Sequence, residues 1–292
     1  MGRTPPKGHS RISRRTALAV VPALVTVASL PDGRVRSAAA ATEPPSVPID
    51  ERYRLVFSDE FERLDIGRIG HKWTNGYRLI KNDLPSDALS VSGSVLTITG
   101  DRNNISTCYE DASGGTFFRG GYFEARIWST NWTAFWMMSM HQSLSRPTVA
   151  RDPMTWAAEI DIIETDETTY PVSVFDALHK NTGNGGGVKD DVNHGARNGF
   201  DSPVGPIVGQ WHNFSALITP KSVDWFVDGV RTLSCASYES TWQPMALILG
   251  VGNGGVVAGW GSPAARAHDP AFCRIDWVRV WQLPGQDEMI RA

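Results

Sequence analysis

Short runs of alternating apolar and polar residues, separated by glycine, asparagine, aspartate and proline, follow one another along most of this chain. β-Branched and aromatic residues dominate these runs, and the periodicity of long amphipathic helices is absent, which indicates strands. The predicted strands include Tyr53–Ser58, Val95–Thr99, Gly121–Trp128, Trp211–Leu217, Val223–Val227, Met245–Val251 and Arg274–Trp281. Asp228-Gly229 follows an aromatic strand and predicts a tight hairpin. We therefore expect an all-β sandwich of two antiparallel sheets, similar to a jelly roll.

The segment Glu159-Ile160-Asp161-Ile162-Ile163-Glu164 sets three carboxylates into an apolar, β-branched run. Such a run predicts a buried strand, where aspartate and glutamate are rare unless they are paired or have a function. Glycoside hydrolysis is one such function, because it uses a pair of carboxylates that flank the sugar linkage. The alternative is a strand at a sheet edge, with solvated acids on one face.

The spacing of these acids predicts an irregular strand. Strict alternation places Glu159 and Asp161 on one face and Glu164 on the other. A β-bulge, with Ile163 as the extra residue, would return Glu164 to the face of the other two acids. The Cα atoms of Glu159 and Glu164 would then lie about four strand steps apart, roughly 13 Å. This distance allows both the short carboxyl separation of retaining glycosidases and the longer one of inverting enzymes.

The first 41 residues carry the features of an export signal. Basic residues precede a weakly apolar stretch, Ala17–Leu30, and the small residues Ala38–Ala41 offer cleavage sites. The stretch is shorter than the roughly 20 apolar residues that a transmembrane anchor needs. Ser13-Arg14-Arg15-Thr16-Ala17-Leu18 resembles a twin-arginine signal. We therefore expect a secreted bacterial protein that has no membrane partner after the signal is cleaved.

The remaining chain is long enough for one large β-domain and shows neither an internal repeat nor a second domain. The predicted organisation is an export signal at residues 1–41, a proline-rich linker at 42–52, a β-sandwich domain at 53–283 and a C-terminal tail at 284–292. Nothing in the sequence indicates an oligomer, so we expect a monomer.

Charge and cysteine content exclude several functions. Residues 1–41 hold seven of the 28 basic residues and one of the 31 acidic ones, so the rest of the chain has a net charge of −9. An acidic protein is a poor match for nucleic acid, an anionic membrane or a strongly sulfated polysaccharide. The three cysteines are too few for a disulfide scaffold, and no Cys/His cluster has zinc-ligand spacing. One disulfide would fit this number, and the pair that we favour is Cys235–Cys273.

Five further segments, together with the acidic hexapeptide, resemble glycoside hydrolase family 16 over about residues 53–282. These segments are Leu55–Phe61, Gly120–Ile127, Trp132–Trp136, Trp211–Gly229 and Ile275–Val280. Trp132-Thr133-Ala134-Phe135-Trp136 differs from the family's Trp-Pro-Ala-Phe-Trp only at Thr133. Because all six matches follow the family's order, coincidence is a poor explanation.

The resemblance implies a jelly roll of the concanavalin-like kind, whose concave sheet forms an open substrate cleft. It also implies internal cleavage of β-linked polysaccharides with retention of configuration. Carried over residue by residue, Glu159 is the nucleophile, Glu164 is the general acid/base, and Asp161 assists the nucleophile. The six-residue, bulged form of the motif resembles that of β-1,3-glucanases, agarases and other galactanases rather than that of lichenases.

The resemblance also suggests residues that contact the substrate. Trp132 and Trp136 have the motif context of cleft residues, since indole rings stack on the apolar faces of sugars. Trp156 just precedes the acidic strand and would line a subsite, and His179 matches a family histidine near the acids. The alternatives are core tryptophans and a structural histidine. No cofactor is required, although family members often carry a structural calcium ion on the convex side; the sequence does not identify its ligands here.

The departures from the family pattern lie near the cleft rim, at Ala158, at Gly250–Gly255 and in the loop His141–Met154. They affect the identity of the substrate more than the chemistry. The leading prediction is a secreted endo-β-1,3-glucanase that acts on laminarin-like chains, and the second is an agarase or another β-galactanase. A third hypothesis is a carbohydrate-binding protein without turnover, which fits poorly with an intact set of three acids.

Overall fold

The computed structural model of this chain describes residues 44–67, 70–75, 87–100, 103–108, 115–129, 133–139, 157–164, 175–181, 192–194, 204–205, 207, 209–237, 242, 244–251 and 272–286. All of them belong to one compact unit, Arg34–Ala292. The predicted export signal, the loop His141–Met154 and most of the predicted tail lie outside the described residues. Within the described part, no helix has the length and hydrophobicity that crossing a membrane requires.

The named elements of the described residues are all β-strands, as the alternating sequence pattern predicts. They are β1 Arg54–Asp59, β2 Thr74–Asn75, β3 Leu89–Ser92, β4 Val95–Thr99, β5 Asn104–Ser106, β6 Gly121–Trp128, β7 Thr133–Ser139, β8 Ala157–Glu164, β9 Phe175–Asn181, β10 Val192–His194, β11 Trp211–Ile218, β12 Ser222–Val227, β13 Val230–Ala236, β14 Met245–Val251 and β15 Phe272–Gln282. Strands β4, β6 and β14 have the predicted bounds, and the other predicted strands differ from the observed ones by one or two residues at their ends.

The strands form two sheets. The first sheet has the order β13-β12-β11-β6-β15-β4-β3, and β1 also pairs with β15. The second sheet has the order β10-β9-β8-β7-β14-β5-β2. All of these strand pairs run antiparallel. The predicted fold class, an all-β sandwich of two antiparallel sheets, is confirmed.

The main core lies between the two sheets. Because alternate side chains of a strand point to the same face, β6 contributes Phe123 and Ile127 from the first sheet, and β7 contributes Phe135 and Met137 from the second. Strand β14 is buried along its whole length, since the residues on both of its faces join apolar clusters. The middle of the second sheet is therefore packed on both sides.

The predicted hairpin at Asp228-Gly229 joins β12 to β13. Both residues have positive φ, 47° and 78°, as a type I′ turn requires. Asp228 also binds the start of β11: its Oδ2 lies 2.6 Å from His212 Nδ1, and its Oδ1 accepts the Asn213 N–H at 2.8 Å. Burial raises the pKa of Asp228, but these hydrogen bonds outweigh burial and leave the pKa below its ordinary value.

The chain before β1 packs on the outer face of the first sheet, which is the face directed away from the main core. Val47 joins Tyr122 and Trp281 in an apolar cluster there. The backbone N–H of Ser46 lies 3.3 Å from both carboxylate oxygens of Glu124. Part of the segment predicted as a linker thus contacts the sheet through buried groups.

The predicted Cys235–Cys273 disulfide is wrong, because both residues and Cys108 are free cysteines. Cys235 lies in β13 and Cys273 in β15, with β12, β11 and β6 between them. Four inter-strand steps separate them, about 19 Å, whereas a disulfide requires Cα atoms within about 7 Å. Burial raises the pKa of the Cys235 thiol to about 11 and that of Cys273 to about 12, so both favour the protonated form.

Candidate active site

The acidic hexapeptide forms most of β8, which lies between β7 and β9 in the second sheet. Across the β7 ladder, Glu159 pairs with Met138, Asp161 with Trp136, and Glu164 with Ala134. Residues directly opposite each other in an antiparallel pair share a face of the sheet. Positions 159, 161 and 164 therefore lie on one face of the second sheet, which we call the acid face.

A bulge in β8 makes this arrangement possible. Phe135 pairs with Ile163 and Trp136 with Asp161, so Ile162 has no opposite residue in β7. The register with β9 also shifts between Asp161 and Glu164. The predicted bulge is confirmed, but the extra residue is Ile162 rather than Ile163.

Both isoleucines at the bulge point into the main core. Ile162 is 1% exposed and Ile163 is fully buried. Strict alternation would put one of them on the acid face. Burying a large aliphatic side chain contributes about 1.5–3 kcal/mol, which helps to offset the local disruption of the ladder. Because two adjacent isoleucines are buried, the alternation of inward and outward side chains along β8 shifts by one residue, and position 164 falls on the acid face.

An apolar floor lies beside the acids. It is the cluster of Ala134, Trp136, Met138 and Ile248, which is separate from the main core. Trp136 pairs with Asp161 and is 6% exposed. Asp161 is 5% exposed, whereas Glu159 is only partly buried. The buried aspartate and the more accessible glutamate thus occupy the same face two residues apart.

The predicted histidine has a backbone position next to the acids. In the β8–β9 ladder, His179 pairs with Glu159, and Ala177 pairs with Asp161. The side chains of His179 and Glu164 lie outside the described residues, as do Trp132 and Trp156. Their predicted roles stay predictions.

A contact between β14 and β5, next to the apolar floor, explains the departure from the family pattern at Gly250. Gly250 of β14 pairs with Ala134 on one side and with Asn104 of β5 on the other. A Cβ atom at position 250 would collide with the side chain of Asn104, which is 2% exposed. Glycine is therefore required where Asn104 lies over the strand. Sequence reasoning missed Asn104, since it has no motif of its own.

A second missed residue is Trp225 of β12, whose indole N–H donates to the backbone carbonyl of Asp161 at 2.8 Å. The sequence identified Trp225 only as part of an aromatic strand. The signal that could have found it is the bulge itself, because a shifted peptide group in a packed core requires a hydrogen-bond partner.

Two described acids of the outer face already have partners. Glu124 accepts hydrogen bonds from Ser46, and Asp276 pairs with Arg126 at 2.7 Å. Calcium takes six to eight oxygen ligands, which include backbone carbonyls and water as well as carboxylates, so the expected calcium ion stays a prediction. Among the described residues, no group of three or more His, Cys, Asp or Glu could hold a metal ion.

The fold matches that of solved glycoside hydrolases of family 16. The endo-β-1,3-glucanase of Pyrococcus furiosus aligns with a TM-score of 0.59 and 19% identity, over 85% of this chain and 100% of that one. A non-specific endo-β-1,3(4)-glucanase from this family, with a cellobiosyl-glucose at its active site, aligns with a TM-score of 0.56 and 20% identity, over 82% of this chain and 98% of that one.

Porphyranase B of Zobellia galactanivorans has a similar structure, with a TM-score of 0.60 and 15% identity over 82% of this chain and 99% of that one. Neither the protein-family models nor the curated protein sequences match this chain. The likeness to solved structures therefore shows the fold alone.

Proposed function

We propose that this protein is a retaining endo-glycosidase of glycoside hydrolase family 16 that cleaves β-linked polysaccharide, with β-1,3-glucan as the leading substrate. The observation that carries the proposal is the bulge at Ile162, which puts positions 159, 161 and 164 on one face. A regular strand would direct position 164 toward the core. Acids at three positions of one face match the requirement of glycoside hydrolysis for a pair of carboxylates.

In the proposed mechanism, Glu159 attacks the anomeric carbon while Glu164 gives a proton to the leaving oxygen. This step forms a covalent glycosyl-enzyme and breaks the glycosidic bond. Glu164, now ionised, takes a proton from water, which attacks the same carbon and releases Glu159. Two displacements at one centre retain its configuration.

The neighbouring acids support this division of roles. One of the two glutamates must be ionised to attack, and the other must hold a proton for the leaving oxygen. The buried Asp161 is suited to orienting the more accessible Glu159.

The apolar floor supports a neutral sugar chain as substrate. Ala134, Trp136 and Met138 lie on the acid face next to the carboxylates. Met138 is buried, and the small exposed areas of Ala134 and Trp136 are apolar, as contact with the C–H faces of sugar rings requires. The net charge of −9 outside residues 1–41 also disfavours polyanions. These features favour glucan over sulfated galactan.

A β-galactanase is the second candidate, because the porphyranase has the same fold. The cleft-rim departures at Ala158 and His141–Met154 are compatible with either substrate. For both candidates we propose a secreted monomer that requires no cofactor.

The test is release of reducing ends from laminarin, lichenan, agarose, porphyran and carrageenan. We expect rapid release from laminarin, with large oligosaccharides appearing first because cleavage is internal. Release from agarose or porphyran alone would support the galactanase. Binding without release on every polymer would replace both proposals with a carbohydrate-binding protein.

The two glutamates can be told apart by azide rescue. Azide should attack the glycosyl-enzyme of Glu164→Ala and give a β-glycosyl azide. In Glu159→Ala, azide would replace the nucleophile and give the α-azide. The opposite products, read by NMR, would reverse the roles that we propose.

A further inference from the structure

Trp225 connects the two sheets at the position of the acids. It lies in β12 of the first sheet, whereas its hydrogen-bond acceptor, the carbonyl oxygen of Asp161, belongs to β8 of the second. The Nε1–O distance is 2.8 Å, and the indole is 1% exposed. The bond therefore crosses the main core in a region without bulk water.

The acceptor is at the bulge. Beyond Asp161 the register of β8 shifts against both β7 and β9. A carbonyl in a regular ladder lies in the sheet and points to a neighbouring strand. A carbonyl that accepts from the opposite sheet is instead turned toward the core. The indole thus sets the orientation of the peptide group between Asp161 and Ile162, where the alternation changes.

The donor is itself held firmly. Trp225 pairs with Leu233 of β13, and the register shifts immediately after it, so that Phe226 pairs with Arg231. Its indole packs within the main core. Rotation of so large a buried side chain would require the surrounding core to move. The bond therefore joins a bulge in each sheet.

We propose that Trp225 is a positioning residue for the active site, which rests on the glycosidase function proposed above. Its indole N–H holds the β8 bulge in the form that keeps the three acids on one face. It does so from the far side of the core, without contacting the substrate. A displacement of about 1 Å at reacting groups costs up to about 100-fold in rate, so small changes at the bulge should be measurable.

The test removes the N–H while the ring is largely preserved. Trp225→Phe should lower kcat about 10- to 100-fold with little change in KM, because the substrate contacts stay. The pH profile of kcat should also shift, because a change in the separation of Glu159 and Glu164 changes how the nucleophile and the general acid ionise. Replacement of Trp225 by benzothienylalanine, which has sulfur in place of N–H, keeps the shape and serves if the phenylalanine variant does not fold.

Trp73→Phe is the matched control. Trp73 is fully buried in the same core, and its indole N–H donates to Asp59 Oδ2 at 2.7 Å. It directly precedes β2, which is an edge strand of the second sheet and is separated from β8 by β5, β14 and β7. This variant should lose stability similarly while keeping kcat and its pH profile.

Amide hydrogen exchange gives a readout that does not depend on turnover. Exchange in residues 157–164 should be faster in Trp225→Phe and unchanged in Trp73→Phe. Equal kcat, equal pH profiles and equal β8 exchange in the two variants would overturn the proposal and leave the glycosidase function intact. An inactive wild-type protein would instead overturn the proposed function, and the exchange data would then decide whether Trp225 holds the bulge.

Discussion

Strands β6 and β8 both place carboxylates in apolar sequence, but their acids differ in setting. Glu124 of β6 has Ser215 and Arg279 directly opposite, and the register shift of the β6–β15 ladder lies beyond Arg126. It is 1% exposed and accepts hydrogen bonds from Ser46 N–H and the Tyr122 hydroxyl. The acids of β8 lie around a shifted register and beside an apolar floor. Glu124 is a buried acid that completes a network of structural hydrogen bonds on the outer face. The three acids of β8 instead occupy positions on one face because of the bulge.

The arginine opposite Glu124 reinforces this structural role. Arg279 makes a bidentate pair with Glu60, at 2.9 and 3.0 Å, and stacks 4.1 Å from the centre of the Trp277 ring. The outer face thus holds its charges in fixed pairs. Removing a β8 acid should affect catalysis, and removing Glu124 should affect stability.

The largest effect is expected from the β8 glutamates. Glu159→Ala and Glu164→Ala should each lower kcat on the preferred glucan by on the order of 10⁴-fold or more, as loss of a nucleophile or acid/base does. Both variants should keep the wild-type circular dichroism spectrum. Reducing-end assays on laminarin measure the effect, and near-wild-type turnover by either folded variant would contradict the catalytic assignment.

The apolar floor should contribute less than the acids. Trp136→Ala removes the indole at the position opposite Asp161 in the β7–β8 ladder. We expect kcat/KM on laminarin oligosaccharides to fall about tenfold, with most of the change in KM. Trp136→Phe should retain part of the contact, and its kcat/KM should lie between those of the wild type and Trp136→Ala. An unchanged KM in both variants would remove the floor from the binding site.

Much of the strand pattern was predictable from local sequence. Short apolar runs bounded by turn residues identified β4, β6 and β14 with their observed ends, and the five-residue spacing from Glu159 to Glu164 predicted a bulge if the three acids share one face. The bulged residue was assigned wrongly, because Ile162 and Ile163 are chemically identical and only the ladders distinguish them. Long-range contacts explain the other misses: Trp225 meets Asp161 across 64 positions, and Cys235 is separated from Cys273 by three intervening strands.

The pH dependence of stability should distinguish Glu124 from the β8 acids. Burial raises the pKa of Glu124 above its ordinary 4.5, although the Ser46 hydrogen bonds oppose the shift. The folded protein then holds a proton that the unfolded chain releases above about pH 4.5, so the free energy of unfolding declines as pH rises through the raised pKa. Glu124→Gln removes this ionisation and should weaken the decline.

Urea unfolding of both proteins between pH 4 and 7 measures this difference. The Gln side chain still offers an oxygen to Ser46 N–H, so the fold should be kept. The kcat of the variant should stay within about twofold of wild type, because the site lies on the other sheet and distant sites act independently. Identical pH slopes, or a large loss of kcat in the folded variant, would contradict the structural role of Glu124.

The smallest effect is expected at the cysteines. Since Cys108, Cys235 and Cys273 are free, reductant should change Tm by less than about 1 °C, whereas losing a disulfide costs about 2–4 kcal/mol and shifts Tm by several degrees. Alkylation in denaturant without reductant should add three labels, counted by mass spectrometry. A single label would reveal a disulfide, and a link between Cys235 and Cys273 would require β13 and β15 to approach each other across three strands, which the first sheet does not permit.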